Sequence, residues 1–451
     1  MEQRRRGRWI TRLAALAAMS VTVAGLAAGC ASGAGSQPAP ANTAAADIEA
    51  ALQEPTTLTV WTWSTVTPDV AKAFEAEYPK IKVNVVNVGN GHYQKLENAI
   101  KAGNGAPDIA TMEYHTLPQF ALSGSLVELS QFGFQKYEDE FVPGAWKTVN
   151  VDGGLYELPH NAGPMALFYN KTVFDKFGVE VPTTWDEYLD AARKIHAADP
   201  ESYIAADTGN SGLTTSLIWA FGGEPFTSTS KTDLTINMKD KGTQAYADFY
   251  QQLLDEGLLA PIPGSSNDWY QGLTNGKIAS LATGAWMANS LATGVKDGAG
   301  QWRVAPLPTV KKGEKASAMN GGGGFAIMKQ SKNQLAAAGF LEWMETGAGR
   351  DVWIKAGQFP SMKADLQSKE FLEMKNDYFG GQQINKIFVQ SAEDVLPGWQ
   401  YLPFTSYADS IFGDSVGQAY LGKTTLKKGL AEWGDSLAQY AEEQGFTVSR
   451  K

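Results

Sequence analysis

Apolar positions along the chain keep two rhythms from Thr56 onward, one of period two and one near 3.6. Leu58-Thr-Val-Trp-Thr-Trp63 alternates and is rich in β-branched and aromatic residues, which predicts a strand. Thr67-Pro68-Asp69 supplies an N-cap and a first-turn proline. Val70, Ala73, Phe74, Glu77 and Tyr78 come next at helical spacing, and Pro79 ends that helix. Ile81 to Val88 predicts a second strand. Tyr93, Leu96, Ala99 and Ile100 mark a second helix, closed by Gly103-Asn104-Gly105. Asp108 to Met112 reads as a third strand, and 115–123 as a third helical stretch. The order β-α-β-α-β predicts parallel strands with right-handed crossovers. Ligands of open α/β sheets bind beyond the carboxyl ends of the strands. Those ends are Trp63-Ser64, Gly89-Asn90-Gly91-His92 and Glu113-Tyr114-His115.

Further along lies a second α/β region. Thr184-Trp-Asp-Glu187 is a capping box, opening a helix striped by Tyr188, Leu189, Ala192 and Ile195. A further helix carries Tyr246, Phe249, Tyr250, Leu253 and Leu254. Lys277 to Ala282 predicts a short strand running into Thr283-Gly284-Ala285-Trp286. Ser331-Lys-Asn-Gln334 reads as another capping box, before a helix through Phe340, Leu341 and Met344. The last helices are expected over 404–420 and 424–443.

Composition narrows the function classes. With 451 residues, 43% hydrophobic, the chain can fill large cores, and its length suits two or three domains. Its formal charge is −10, and beyond residue 29 it falls to −14. A chain this acidic, without a Lys/Arg cluster past its N-terminus, is a poor nucleic-acid binder. Cys30 is the only cysteine, which excludes an intrachain disulfide framework, cysteine zinc sites and a cysteine nucleophile in the body.

The N-terminus explains that cysteine. Arg4-Arg5-Arg6-Gly7-Arg8 is followed by an apolar run from Leu13 to Ala28 and then Gly29-Cys30, the pattern of a signal peptide over 1–29. Leu26-Ala27-Ala28-Gly29-Cys30 resembles a bacterial lipobox, with Ala27 where leucine is commonest. That resemblance implies lipidation at Cys30; the alternative is an ordinary export signal with Cys30 incidental. Ala31 to Asp47 lacks periodicity, and 30–55 is expected to be the lipidated cysteine and a flexible tether.

The body shows no motif of catalysis. His92, His115, His160 and His196 lack metal-site spacing, and a polar groove or the surface would hold them equally well. Asn320-Gly321-Gly-Gly-Gly324-Phe325 lacks the Lys-Ser/Thr of a phosphate loop, leaving a close backbone approach to a ligand or a flexible crossover. No GxSxG elbow occurs, and no carboxylate pair sits in a recognisable motif. Aromatic residues at turns stand out instead: Trp63, Tyr114, Trp286, Trp399 and Tyr401. Such rings can stack on the apolar face of a sugar, or simply pack in a core. Trp185, Trp343 and Trp353 fall in helices and are expected to pack.

Several segments, in order, carry a resemblance. They are Leu58-Thr-Val-Trp61, Pro107-Asp108-Ile109, Leu167-Phe-Tyr-Asn-Lys171 with Pro182-Thr-Thr-Trp185, Asn275-Gly-Lys-Ile278 to Gly284-Ala-Trp286, Gly322 to Ile327, and Phe340-Leu-Glu-Trp343. Together, over 56–445, they resemble the extracellular solute-binding proteins of ABC sugar importers (family 1, the group with the maltodextrin-binding proteins). The resemblance implies an α/β, two-lobe periplasmic-binding-protein fold, type II-like, with a ligand cleft between lobes and several hinge crossings. The N-terminal lobe would take 56–162 plus 305–362, and the C-terminal lobe 163–304 plus 363–451. The implied ligand-binding positions are Trp63, Ser64, Glu113, Tyr114, His160, Asn161, Asn210, Ser211, Trp286, Gly322, Gly323, Trp399 and Tyr401. The family's charged pair after the first strand is replaced by Thr65 and Val66, which argues against maltodextrin itself.

The same resemblance implies a monomer that is no enzyme and uses no cofactor or metal. It would sit lipid-anchored on the outer face of the bacterial cytoplasmic membrane, close on a mono- or oligosaccharide and pass it to an ABC permease. The rivals are the same fold around a charged solute (a polyamine or glycerol phosphate), a secreted carbohydrate-active enzyme, and a structural surface lipoprotein.

Overall fold

The computed structural model describes residues 41–451 except Asn90, Thr229 and Lys231. The signal peptide, Cys30 and residues 31–40 lie outside the described residues. The chain enters through helix α1 (Ala41–Leu52) and then takes up the expected alternation: β1 (Thr56–Thr62), α2 (Thr67–Glu77), β2 (Ile81–Asn87), α3 (His92–Ala102), β3 (Ile109–Glu113). β1 pairs in parallel with both β2 and β3, as the pattern of crossovers requires.

Helix α1 corrects the expected tether. Ala44, Ile48 and Leu52 recur every four residues, so they share one face of a helix, and all three are buried. Gly339 makes room for that face, because a Cβ there would lie 2.9 Å from both Ile48 and Leu52. Alanine is the strongest helix former, and the same alanines gave the segment its low-complexity look.

The long strand β4 (Glu157–Asn170) is the backbone of the principal sheet. Later elements assemble around it: α4 (Trp185–Ala198), α5 (Ser211–Ala220), α6 (Lys241–Asp255), β5 (Ser280–Gly284), β6 (Trp302–Pro306), β7 (Met319–Ile327), α7 (Gln334–Thr346) and α8 (Leu426–Glu443). The principal sheet has the order β5-β4-β7-β3-β1-β2, with β6 also on β4. The first half of β4 pairs with β7, and its second half with β5 and β6. The expected boundary at 304/305 thus falls inside β6, which pairs with residues 166–170.

Hydrophobic cores gather on either side of this crossing. One holds Leu58, Val60, Phe74, Ile109, Phe325 and Phe340. The others hold Trp185, Ile218, Tyr246 and Trp433, and Phe168, Trp302 and Phe388. Trp185, Trp343 and Trp353 are buried, as expected of packing residues.

Local signals fared unevenly. The Thr184 capping box forms in full. The Ser331 box does not: α7 starts at Gln334 with Asn333 as its cap and no side-chain cap bond. Ser331 Oγ instead accepts the N–H of Asn333 at 3.0 Å, and Asp108 Oδ1 holds both residues, accepting the Ser331 hydroxyl at 2.6 Å and the Asn333 amide at 3.2 Å. Its other oxygen accepts the Thr59 backbone N–H at 2.8 Å, tying the box residues to β1. The helix expected over 404–420 is interrupted, forming only at Thr405–Phe412 and Gly417–Tyr420. Among the described residues no helix is long and apolar enough to cross a membrane.

Candidate functional site

A cleft of about 960 Å³ opens at the carboxyl ends of β1 and β3, where the sheet topology placed it. Its walls come from both halves of the molecule. The β1 end contributes Trp63 to Val66, the β3 end Glu113 and His115, and β4 His160 and Asn161. From the other side come residues 207–213, Trp286, Asn289, Ser290 and the segment through Gln400, Tyr401 and Asp409, while Asn320 to Phe325 cross between the two.

Two indoles stand partly free in it. Trp63 is 36% exposed and Trp286 39%, unusual for residues of this size. Trp63 leaves β1 and is braced edge-on by His92, with ring centres 4.9 Å apart. His92 is itself buried, its Nε2 lying 2.9 Å from the Thr111 carbonyl oxygen, so it supports the site from behind. Trp286 comes just after β5 and donates its indole N–H to the Asn320 carbonyl at 2.9 Å.

Polar groups between them are fixed by local bonds. The Tyr93 hydroxyl donates to Glu113 Oε2 at 3.1 Å and accepts the Glu113 backbone N–H at 2.9 Å. Asn161 Oδ1 accepts the Gly323 N–H at 2.9 Å. Asn210 caps α5 through Oδ1, which accepts the Leu213 N–H at 2.8 Å. Ser211 donates to Asp409 Oδ1 at 2.5 Å. His160 Nδ1 lies 3.0 Å from Glu345 Oε2 behind the cleft wall, with its ring edge-on to Trp353 at 4.3 Å.

The charge of the lining is one-sided. Among the described residues no lysine or arginine lines the cleft; its carboxylates are Glu113, Asp207 and Asp409. Asp207 accepts the hydroxyls of Tyr250 at 2.5 Å and Tyr420 at 3.2 Å. Burial raises its pKa, and those donors work against the rise. Among the described residues no group of three or more His, Cys, Asp or Glu side chains could hold a metal ion.

Of the positions expected from sequence, Trp63, Ser64, Glu113, His160, Asn161, Asn210, Ser211, Trp286, Gly322, Gly323 and Tyr401 line the cleft. Two are corrected. Tyr114 is 1% exposed and does not line it; β3 turns the ring into the core, where its hydroxyl donates to the Asn161 carbonyl at 2.8 Å. Trp399 is turned away onto Trp219, with ring centres 4.8 Å apart. Its neighbours Gln400 and Tyr401 face the cleft instead. Sequence reasoning missed Asp207 and Asp409, which stand in no motif, and read Asn320 only as the first residue of the glycine run. For Asn320 a signal existed, its place at the mouth of the glycine run.

Comparison with known proteins bears on this geometry. The family profile described as "Bacterial extracellular solute-binding protein" matches residues 64–350. A solved ABC transporter associated binding protein from B. animalis subsp. lactis Bl-04, in complex with beta-1,6-galactobiose, is 43% identical. The match covers 87% of this chain and 99% of that one, with a TM-score of 0.82. The galacto-N-biose-/lacto-N-biose I-binding protein of Bifidobacterium longum, in complex with lacto-N-biose, is 26% identical over 87% of this chain and 98% of its own, with a TM-score of 0.75. The arabinooligosaccharide-binding protein of Bacillus subtilis (strain 168) is 27% identical, covering 79% of this chain and 86% of that protein.

Proposed function

The chain belongs to the bacterial extracellular solute-binding proteins, a family that works outside the cytoplasm, and on that premise we propose that it captures a short neutral oligosaccharide between its two lobes. The observation that carries this reading is the pair of half-exposed indoles, Trp63 and Trp286, facing a cleft whose described lining holds amides, hydroxyls and carboxylates with no cation. Indole faces bury the apolar side of a pyranose ring, and fixed amides and carboxylates bond its hydroxyls. The bound sugars of the two solved relatives, beta-1,6-galactobiose and lacto-N-biose, are disaccharides and support the same class.

Closure follows from where the indoles sit. A ligand touching both lobes favours the closed state by its differential affinity for that state. The closed form then delivers its cargo, unaltered, to the permease of an ABC transporter. Site roles are assigned to Trp63, Ser64, Glu113, His160, Asn161, Asn210, Ser211, Trp286, Gly322, Gly323 and Tyr401, with lobes divided as 56–162 plus 305–362 and 163–304 plus 363–451. The body acts as a monomer, held at the outer face of the cytoplasmic membrane by a lipid on Cys30. In a palmitate-labelling experiment, Cys30→Ser should lose the label and release the protein from membranes.

A phosphorylated solute is disfavoured because an anion would meet three carboxylates and no counter-charge. A polyamine is the better rival. Calorimetric titration with beta-1,6-galactobiose, lacto-N-biose, lactose, arabino-oligosaccharides and spermidine tests the proposal. Saturable binding of a neutral sugar with no product on chromatography is expected. Binding of spermidine alone, or turnover of the sugar, overturns it.

A further inference from the structure

The ring that faces the cleft and the strand that crosses between lobes meet at one residue, Asn320. Its carbonyl accepts the Trp286 indole N–H at 2.9 Å. Its side-chain oxygen accepts the Thr283 hydroxyl at 2.9 Å, and its side-chain nitrogen donates to Ser216 Oγ at 3.0 Å. Thr283 lies on β5 and Ser216 on α5, so these bonds hold the start of β7 to the C-terminal half.

Two residues later the fixings change sides. The Gly322 carbonyl accepts the Tyr114 N–H at 3.2 Å, and the Gly323 N–H donates to Asn161 Oδ1 at 2.9 Å. From Gly323 onward the strand runs in register with β3. Between the two sets of fixings stand Gly321 and Gly322, with φ of 75° and 98°, and the pairing of β7 with β4 slips there. These backbone angles favour glycine. The space is also closed to side chains: a Cβ on Gly321 would lie 3.1 Å from Trp286 Nε1, and one on Gly322 2.9 Å from the Tyr114 ring.

We propose that Asn320 is a positioning residue that couples stacking on Trp286 to rotation about Gly321–Gly322. This rests on the oligosaccharide reading above. The indole is bonded to the peptide that begins the pivot, so ring and peptide travel together with the C-terminal half, and rotation about Gly321–Gly322 carries the ring relative to the opposite wall. A ligand lying on Trp286 then has a different contact in the open and closed forms, which any ligand-driven closure requires. The side-chain bonds to Thr283 and Ser216 keep that peptide from turning independently of the C-terminal lobe.

The test uses the full chain carrying Cys30→Ser, with spin labels at Lys82→Cys and Lys428→Cys, exposed sites on β2 and α8. Inter-label distances are measured with and without beta-1,6-galactobiose. Wild type should show one narrow ligand-free distance that shortens on binding. Asn320→Ala should broaden the ligand-free distribution and weaken binding about five- to tenfold, the worth of one to two hydrogen bonds. Trp286→Phe, which keeps a ring but removes the N–H, should do the same. The double variant should bind within about twofold of the weaker single, because the two act in series through one peptide: the Asn320 side chain fixes the carbonyl to which the indole N–H bonds.

A residue that merely touched the ligand would leave the ligand-free distances unchanged, and that result overturns the proposal. So do additive losses in the double variant. If Asn320→Ala fails to fold, Thr283→Val and Ser216→Ala remove its partners one at a time, and unaltered distances in both overturn it equally. If wild type binds no sugar, the oligosaccharide reading fails, while the ligand-free distances still decide the role of Asn320.

Discussion

Glu157 lies fully buried on β4, and neither of its oxygens has a hydrogen-bond partner among the described residues. Burial pushes its pKa well above the ordinary carboxylate range, and the neighbouring Glu345 adds to the rise. Glu345 is raised by its own burial, opposed by His160. Each carboxyl therefore holds its proton more tightly folded than unfolded. The stability this brings is complete below the unfolded value of about 4.5 and is lost as pH rises through the raised folded value. Glu157→Gln mimics the protonated form at every pH. Its melting temperature should match wild type near pH 4 and exceed it by about 2 °C or more at pH 8, read by calorimetry. At Trp286 the expected effect is on binding. Trp286→Ala should weaken the best sugar about tenfold or more with an unchanged circular dichroism spectrum, since a half-exposed anchor contributes little to the core. The aromatic residues at turns formed one class in the sequence. Side-chain direction alone split them, placing Trp63 and Trp286 in the cleft and Tyr114 and Trp399 behind it.

Among the elements, α1 shows how composition can mislead. Alanine, serine and glycine around it predict a tether, but three residues four apart dock it on α7. Leu52→Ala removes a buried anchor from that contact, a loss of about 2–5 kcal/mol where the core cannot collapse. Set against the unfolding entropy of a chain this long, that is a drop of about 2–5 °C in melting temperature. The helix at Thr184 follows its capping box, so Thr184→Ala should cost about 1 kcal/mol in denaturant unfolding. The equivalent pattern at Ser331 fails because its oxygen accepts the Asn333 N–H two residues on, in a turn that Asp108, distant in sequence, holds by accepting the hydroxyl. A cap is legible from sequence only where no tertiary partner competes for it.

At the scale of the whole molecule, a cleft with carboxylates and no cation in its described lining makes a distinct salt signature. A neutral ligand displaces no counterions, so its affinity should vary less than about twofold between roughly 0.05 and 0.5 M salt, where a polyamine would lose far more. Small-angle scattering should show a smaller radius of gyration with the bound sugar; an unchanged radius would mean the lobes do not close. The alternation of strands and helices and the strand ends that open on the cleft were legible in the chain before folding. These are local matters, written in periodicity and neighbouring residues. Which aromatic rings face the cleft, that its lining lacks cations, and that Asn320 joins Trp286 to the crossing strand emerged only with the packed molecule. Those depend on segments such as 283–286 and 320–323, which no short-range pattern connects and which only the pairing around β4 brings into contact.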